Sequence, residues 1–229
     1  MGLRGGGFNG RLAERGRGRH SSPMIIPTHS DVVGVVLAGG LSRRFGGGDK
    51  CLRALGGQTL LHRVVERAAP QVGHLILNAS GDAARFADMG LDVVPDVMDG
   101  AQGPLAGVLT GMAWAKSHVR GTAWVATFAS DAPFIPLDLI HRLYLAATEG
   151  QADIAMAASD ERMHPVFALW NVSLMDDLHH VLTIEGVRKV RDWADRHRVV
   201  QVDFSSDPVD PFFNVNCEND LAEAEALLA

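Results

Sequence analysis

The sequence predicts an α/β fold with a mostly parallel sheet and helices on both of its faces, on three observations. Val32-Val33-Gly34-Val35-Val36-Leu37 is a short continuous apolar run that stops at Ala38-Gly39-Gly40. A strand buried on both faces reads as such a run, without alternation. From there to about residue 150, short apolar runs take turns with stretches of helical spacing, which is how parallel sheets with crossover helices are written. Finally, Asp131 stands just after the apolar segment 124–128. Open parallel sheets bind their ligands at the C-terminal ends of such strands.

Taken in order, residues 1–30 read as a disordered tail. They are rich in Gly and Arg, lack apolar periodicity and are broken by Pro23 and Pro27, so they cannot bury enough surface to offset their ordering entropy. Residues 31–229 read as one domain, opening on the strand at 32–37. Leu60, Leu61, Val64, Val65, Ala68 and Ala69 then fall on one face of a helix at 59–69. Leu75-Ile76-Leu77 and Val93-Val94 read as the second and third strands, and 105–114 as a helix after Gly103-Pro104. Residues 123–128 form a further core strand, and Pro136 is placed for the first turn of a helix at 137–147. Beyond residue 150 the alternation loosens: strands at 154–158 and 166–170, as a locally antiparallel pair, precede amphipathic stretches at 172–182 and 187–196. A strand at 198–203 and a helix from 219 close the chain.

Composition excludes several classes. No apolar run reaches the roughly 18 to 20 residues that cross a bilayer, so no membrane partner is expected. The tail carries five arginines against Glu14, which leaves −10 for the rest of a chain whose formal charge is −6. So acidic a body does not hold nucleic acid by general charge attraction, and it must bind anions with placed cations, backbone donors or a metal. Cys51 and Cys217 have no metal-ligand spacing and make no disulfide framework; they read as reduced thiols of a cytoplasmic protein.

The segment from Leu37 to Lys50, LAGGLSRRFGGGDK, carries the most chemistry. Glycines directly after a buried strand let the backbone turn sharply and bring its N–H groups to an anion. Arg43, Arg44 and Lys50 add mobile positive charge, and that combination suits a triphosphate. The spacing is neither that of a Walker A loop, because Cys51 follows the lysine, nor that of a dinucleotide fingerprint. Asp131 would supply the carboxylate for Mg2+, which takes one or two carboxylates together with phosphate oxygens and water.

At these residues the chain resembles the molybdenum cofactor guanylyltransferases, the MobA family, whose first-strand motif it matches with Phe45 where Met is usual. The resemblance runs over residues 32–221. It implies a Rossmann-like nucleotidyltransferase fold in which Leu37, Ala38, Gly39, Gly40 and Lys50 bind the nucleotide. It also implies that Asn78 contacts the nucleotide, that Asp96 reads guanine, and that Asp131 holds magnesium. Gly103-Pro104-Leu105-Ala106-Gly107 looks like the family's G-P-L-A-G, and Ser130-Asp131-Ala132-Pro133 departs from its C-D-T/M-P only at small neighbours. Phe213-Asn214-Val215-Asn216 is similar to F-x-N-V-N, with Asn216 a second candidate metal ligand, and His164-Pro165 is similar to H-P-T, near the acceptor. The implied catalytic set is Lys50, Asp131 and Arg43. The implied partners are GTP, molybdenum-bearing molybdopterin, other proteins of that cofactor's biosynthesis and the apo-molybdoenzymes. Three alternatives stay open: a cytidylyltransferase for the same cofactor, a sugar-phosphate nucleotidyltransferase, and a non-catalytic molybdopterin carrier.

Overall fold

The computed structural model describes residues 28–39, 49–98 and 103–228. The first apolar run becomes β1 (His29–Leu37), with residues 32–36 all buried. Val32 and Val36 face one side of the sheet and Val33 and Val35 the other, so both faces demand apolar residues and no alternation shows. β1 lies between β4 (Val72–Asn78) and β6 (Trp124–Ala129), parallel to both. β5 (Asp92–Val94) extends the sheet beyond β4, again parallel. On the far side, β8 (Arg162–Asn171) runs antiparallel to β6 and to β7 (Ile154–Ser159), and β9 (Val199–Asp203) lies parallel to β7. The order is β5-β4-β1-β6-β8-β7-β9. Only β8 runs against the rest, as the mostly parallel reading requires.

Helices cover both faces. α1 (Leu60–Ala68) and α3 (Leu139–Glu149) pack Leu61, Val64, Ile140 and Leu143 against Val36 and Phe128 on one side. α2 (Pro104–His118), α4 (Met175–His180) and α5 (Val190–Ala194) cover the other, where Trp170 and Trp193 stack 5.7 Å apart. α6 (Glu218–Leu228) brings Ala224 to a small third cluster with Leu55, Leu60 and Val215.

Several boundaries differ from the sequence reading for local reasons. β1 starts at His29 rather than at Val32, and Thr28 Oγ1 donates to Pro70 O at 2.6 Å. This polar stretch gives no apolar signal. Its place depends on Gly73, where an added Cβ would lie 2.4 Å from Ser30 O. Ala69 is exposed, not on the buried face of α1, because the chain tightens there into a 3-10 turn (Ala69–Gln71). Pro136 precedes α3 by a turn instead of sitting in it, its carbonyl accepting from Leu139 N at 3.4 Å. The hairpin of β2 (Ala54–Leu55) and β3 (Gln58–Thr59) was not expected. Gly56 and Gly57 have φ of +57° and +84°, the pair of positive values that a tight hairpin turn needs and that glycine adopts freely. The expected tail, residues 1–27 of it, lies outside the described residues.

From β1 the chain goes first to β4 and β5 on one side, then returns over the sheet to β6 on the other. The crevice between the C-terminal ends of β1 and β6 is therefore the topological switch point, where folds of this kind bind ligands.

Candidate active site

Lys50 opens a short 3-10 turn (Lys50–Leu52) anchored by the buried Cys51. Burial, with Asp49 beside it, pushes the Cys51 thiol up to about 11, so it packs as a neutral group. Above it the Lys50 ammonium donates to Asp131 Oδ2 and, at 2.9 Å, to Asn216 Oδ1. Asp131 comes from the end of β6, and its backbone carbonyl accepts from Val215 N at 2.9 Å, which lays the 213–216 segment alongside. Asn216 is held in turn by Asp220, whose Oδ2 accepts from Asn216 N at 2.6 Å and Cys217 N at 3.1 Å. These bonds, that to Asn216 N first, hold the Asp220 carboxyl below its usual range. An acid reaching back from the first turn of α6 to the residue before it forms half of a capping box.

On the other side of β1, Asn78 ends β4. Its Nδ2 donates to Val94 O at 3.1 Å and to Asp96 Oδ1 at 3.0 Å. Thr110 on α2 fixes the next residue, its Oγ1 accepting from Val97 N at 3.1 Å and donating to Ala106 O at 2.8 Å. The Asp96 carboxylate is thus held by Asn78, and the backbone just after it by Thr110. Leu37, Ala38 and Gly39 run between the two groups: Ala38 N donates to Asn78 O at 2.9 Å and Ser130 N to Leu37 O at 3.4 Å. Among the described residues, an added Cβ on Gly39 would meet nothing within 4 Å.

The structure therefore brings together Lys50, Asp131 and Asn216, and separately Asn78 and Asp96, at one edge of the sheet. Gly40 and Arg43, with Arg44, lie outside the described residues. Asp49 pairs with Arg85, Oδ2 to Nε 2.6 Å, and this partner 36 positions away had no signal in the sequence. Thr110 and Asp220 were also missed; only Asp220 had a local signature, its spacing ahead of a helix. His164 is buried rather than open to an acceptor, and Arg188 spends its guanidinium on Leu182 O and Val187 O at 3.0 and 2.9 Å. A concavity lined by Lys116, Arg120, Thr122 and Ser173 opens before β6, at the opposite end of that strand. Among the described residues no three His, Cys, Asp or Glu side chains gather to hold a metal, and no helix is long and apolar enough to cross a membrane.

A first strand that ends at Ala38-Gly39, with a lysine that faces a strand-end aspartate across the switch point, is the site of a nucleotidyltransferase. Residues 34–200 match the profile of the MobA-like NTP transferase domain. A molybdenum cofactor guanylyltransferase of Bradyrhizobium sp. (strain ORS 278) is 49% identical over 206 residues, 90% of this chain and 97% of that one. Another, from Rhodopseudomonas palustris (strain BisB5), is 48% identical over 204 residues, 89% and 97% of the two chains. The chain belongs to the molybdenum cofactor guanylyltransferase family, MobA. The crystal structure of molybdopterin-guanine dinucleotide biosynthesis protein A from Archaeoglobus fulgidus has the same fold, with a TM-score of 0.68 at 24% identity, covering 86% of this chain and 98% of that one.

Proposed function

We propose that this enzyme transfers GMP from GTP to the terminal phosphate of molybdenum-bearing molybdopterin, releasing pyrophosphate and forming a guanine dinucleotide cofactor, with Mg2+ as the metal. The observation that carries the reading is the place of the Lys50 ammonium, which bridges Asp131 Oδ2 and Asn216 Oδ1. Two oxygen donors from separate elements converge on one cation, and the residues fit a metal there: the ammonium stands in for a hard divalent ion that takes few protein ligands. Asp131 and Asn216 would hold it, and when bound it would neutralise charge on the phosphate oxygens.

Lys50 is then free to turn its charge to the triphosphate, where a flexible point charge suits phosphate. An oxygen of the acceptor phosphate attacks the α-phosphorus while the bond from that phosphorus to the α–β bridging oxygen breaks, and pyrophosphate leaves with the electron pair. No protein nucleophile is needed, and the protein's work is positioning and charge neutralisation. Gly39, which has no side chain, would let a base approach bare backbone beyond the end of β1. Asp96, steadied by Asn78 and by Thr110 through Val97, accepts from the N1–H and the exocyclic amine of guanine. Arg43 and Arg44 steady the departing pyrophosphate.

The test mixes the protein with molybdenum-bearing molybdopterin, GTP and Mg2+, then follows pyrophosphate and the mass of the product. Magnesium-dependent pyrophosphate with a GMP adduct of the acceptor is expected. Acceptor binding without pyrophosphate would mean a carrier, and turnover only with a sugar phosphate would mean another nucleotidyltransferase.

A further inference from the structure

Beyond β6, on the same edge of the sheet, three polar side chains form a mostly buried chain that no step above uses. It starts at Pro165, which has no N–H to offer a neighbouring strand. There the pairing of β7 with β8 slips: Met156 faces Ala168, but Ala157 faces His164. Such a bulge re-aims a side chain, and His164 is turned inward to 7% exposure. Its Nε2 lies 2.7 Å from Ser159 Oγ, and the Ser159 hydroxyl donates to Asp210 Oδ1 at 3.0 Å. One hydroxyl has one proton; with that proton given to Asp210, His164 Nε2 must be the protonated nitrogen that donates to Ser159. Burial keeps the His164 pKa below its ordinary value, in keeping with a neutral ring.

Asp210 begins the segment that reaches the catalytic group. Its Oδ1 also accepts from Phe212 N at 3.0 Å, and its backbone carbonyl accepts from Phe213 N at 3.1 Å. The buried Phe212 ring is wedged beside His164, Phe167 and Phe204, at 4.6, 4.9 and 5.4 Å between centroids. Three residues on, Val215 N meets Asp131 O and Asn216 Oδ1 meets the Lys50 ammonium. The segment is thus pinned at both ends, by Asp210 to β7 and β8 and by Val215 to the end of β6.

From this arrangement we infer that Ser159, His164 and Asp210 are positioning residues for nucleotidyl transfer, fixing segment 210–216 so that Asn216 meets Lys50 and Asp131. Their effect on turnover runs through Asn216, and in that respect the inference rests on the function proposed above. Two measurements test it. Hydrogen exchange needs no turnover: in Ser159→Ala and in Asp210→Ala, the amides of Phe212, Phe213 and Val215 should exchange at least about tenfold faster, as expected when a buried hydrogen bond is lost. A double-mutant cycle in pyrophosphate release tests the route. Ser159→Ala alone should lower kcat about tenfold with the KM for GTP changed less than about twofold, and should change kcat less than about twofold when Asn216 is already Ala. Unchanged exchange in both variants overturns the inference. So does a Ser159→Ala loss that multiplies in full onto the Asn216→Ala loss, because a merely structural role acts independently of Asn216. Faster exchange in a protein whose wild type releases no pyrophosphate keeps the pinning of the segment and overturns the proposed function instead.

Discussion

Replacing Gly107 by Ala tests how the Asp96 carboxylate is held. A Cβ built at Gly107 would lie 2.4 Å from Leu37 Cδ2, 2.6 Å from Asn78 Oδ1 and 3.3 Å from Asn78 Cγ. Ordinary contact distances there are about 3.4 Å or more, so Asn78 must give way by something like 0.5 to 1 Å. Its two bonds, at 3.0 and 3.1 Å to Asp96 Oδ1 and Val94 O, then pass beyond hydrogen-bonding distance. Overpacking of this size costs about 1 to 3 kcal/mol of stability. The loss of Asn78 as a holder should raise the KM for GTP about tenfold, the worth of one or two hydrogen bonds. Gly111→Ala, one turn further along α2, is the control. Its Cβ would lie 2.4 Å from Val35 Cγ2 and 3.1 Å from Val125 Cγ1, a comparable clash that does not touch Asn78. Melting curves and pyrophosphate-release kinetics on both variants decide. Both should melt lower, and only Gly107→Ala should lose GTP affinity. Equal KM changes in the two, or none in Gly107→Ala, would refute the reasoning.

Asp131→Asn keeps the side chain's shape and loses its charge, so it should fold as wild type by circular dichroism yet keep less than about a tenth of the turnover; more than that removes Asp131 from the metal. Lys50→Ala should lower kcat/KM about ten- to a hundredfold, since a charge-assisted phosphate contact contributes roughly 1.5 to 3 kcal/mol; a loss below threefold would place the phosphates elsewhere. Burial, and then His141 beside it, hold the His29 pKa below its ordinary value, while Asp31, which accepts from Tyr144 Oη at 3.1 Å, pulls the other way. Below about pH 6.5 the unfolded chain therefore takes up a proton that the folded one resists, and this part of the stability, complete above that pH, is lost as the pH falls. The melting temperature should fall from about pH 7.5 to 5.5, and less steeply in His29→Gln; identical slopes would exclude His29 as the cause.

The elements that frame the candidate site were legible because each states itself locally. An apolar run ending in glycines becomes β1, and an acid after an apolar run becomes Asp131 at the mouth of the switch point. The antiparallel pairing of β7 with β8 was legible in the loosened pattern beyond residue 150, whereas the order of the strands in the sheet was not. What stayed hidden is made of pairs distant in sequence. Asp49 finds Arg85, Val97 finds Thr110, and Ser159 finds Asp210 only once the sheet has brought them together. Glycines divide in the same way. Gly56-Gly57 carried a local turn signal that went unread, whereas the need for Gly107 comes from the approach of α2 to Leu37 and Asn78 and cannot be read from its neighbours.

Nucleotide choice tests the account at its centre. Adenine carries an acceptor at N1 and cytosine has no matching pair of donors, so either would leave the Asp96 carboxylate with its bond from Asn78 Nδ2 and no partner on the base. A site built around such donors rejects an analogue lacking them far better than an apolar pocket rejects a missing methylene. The measurement is kcat/KM for GTP, CTP, ATP and UTP with molybdenum-bearing molybdopterin as acceptor, in the wild type and in Asp96→Ala. The account predicts a strong preference for GTP in the wild type, and in Asp96→Ala a loss that falls on GTP much more than on CTP or ATP. Equal or better use of CTP by the wild type would contradict the guanylyl assignment.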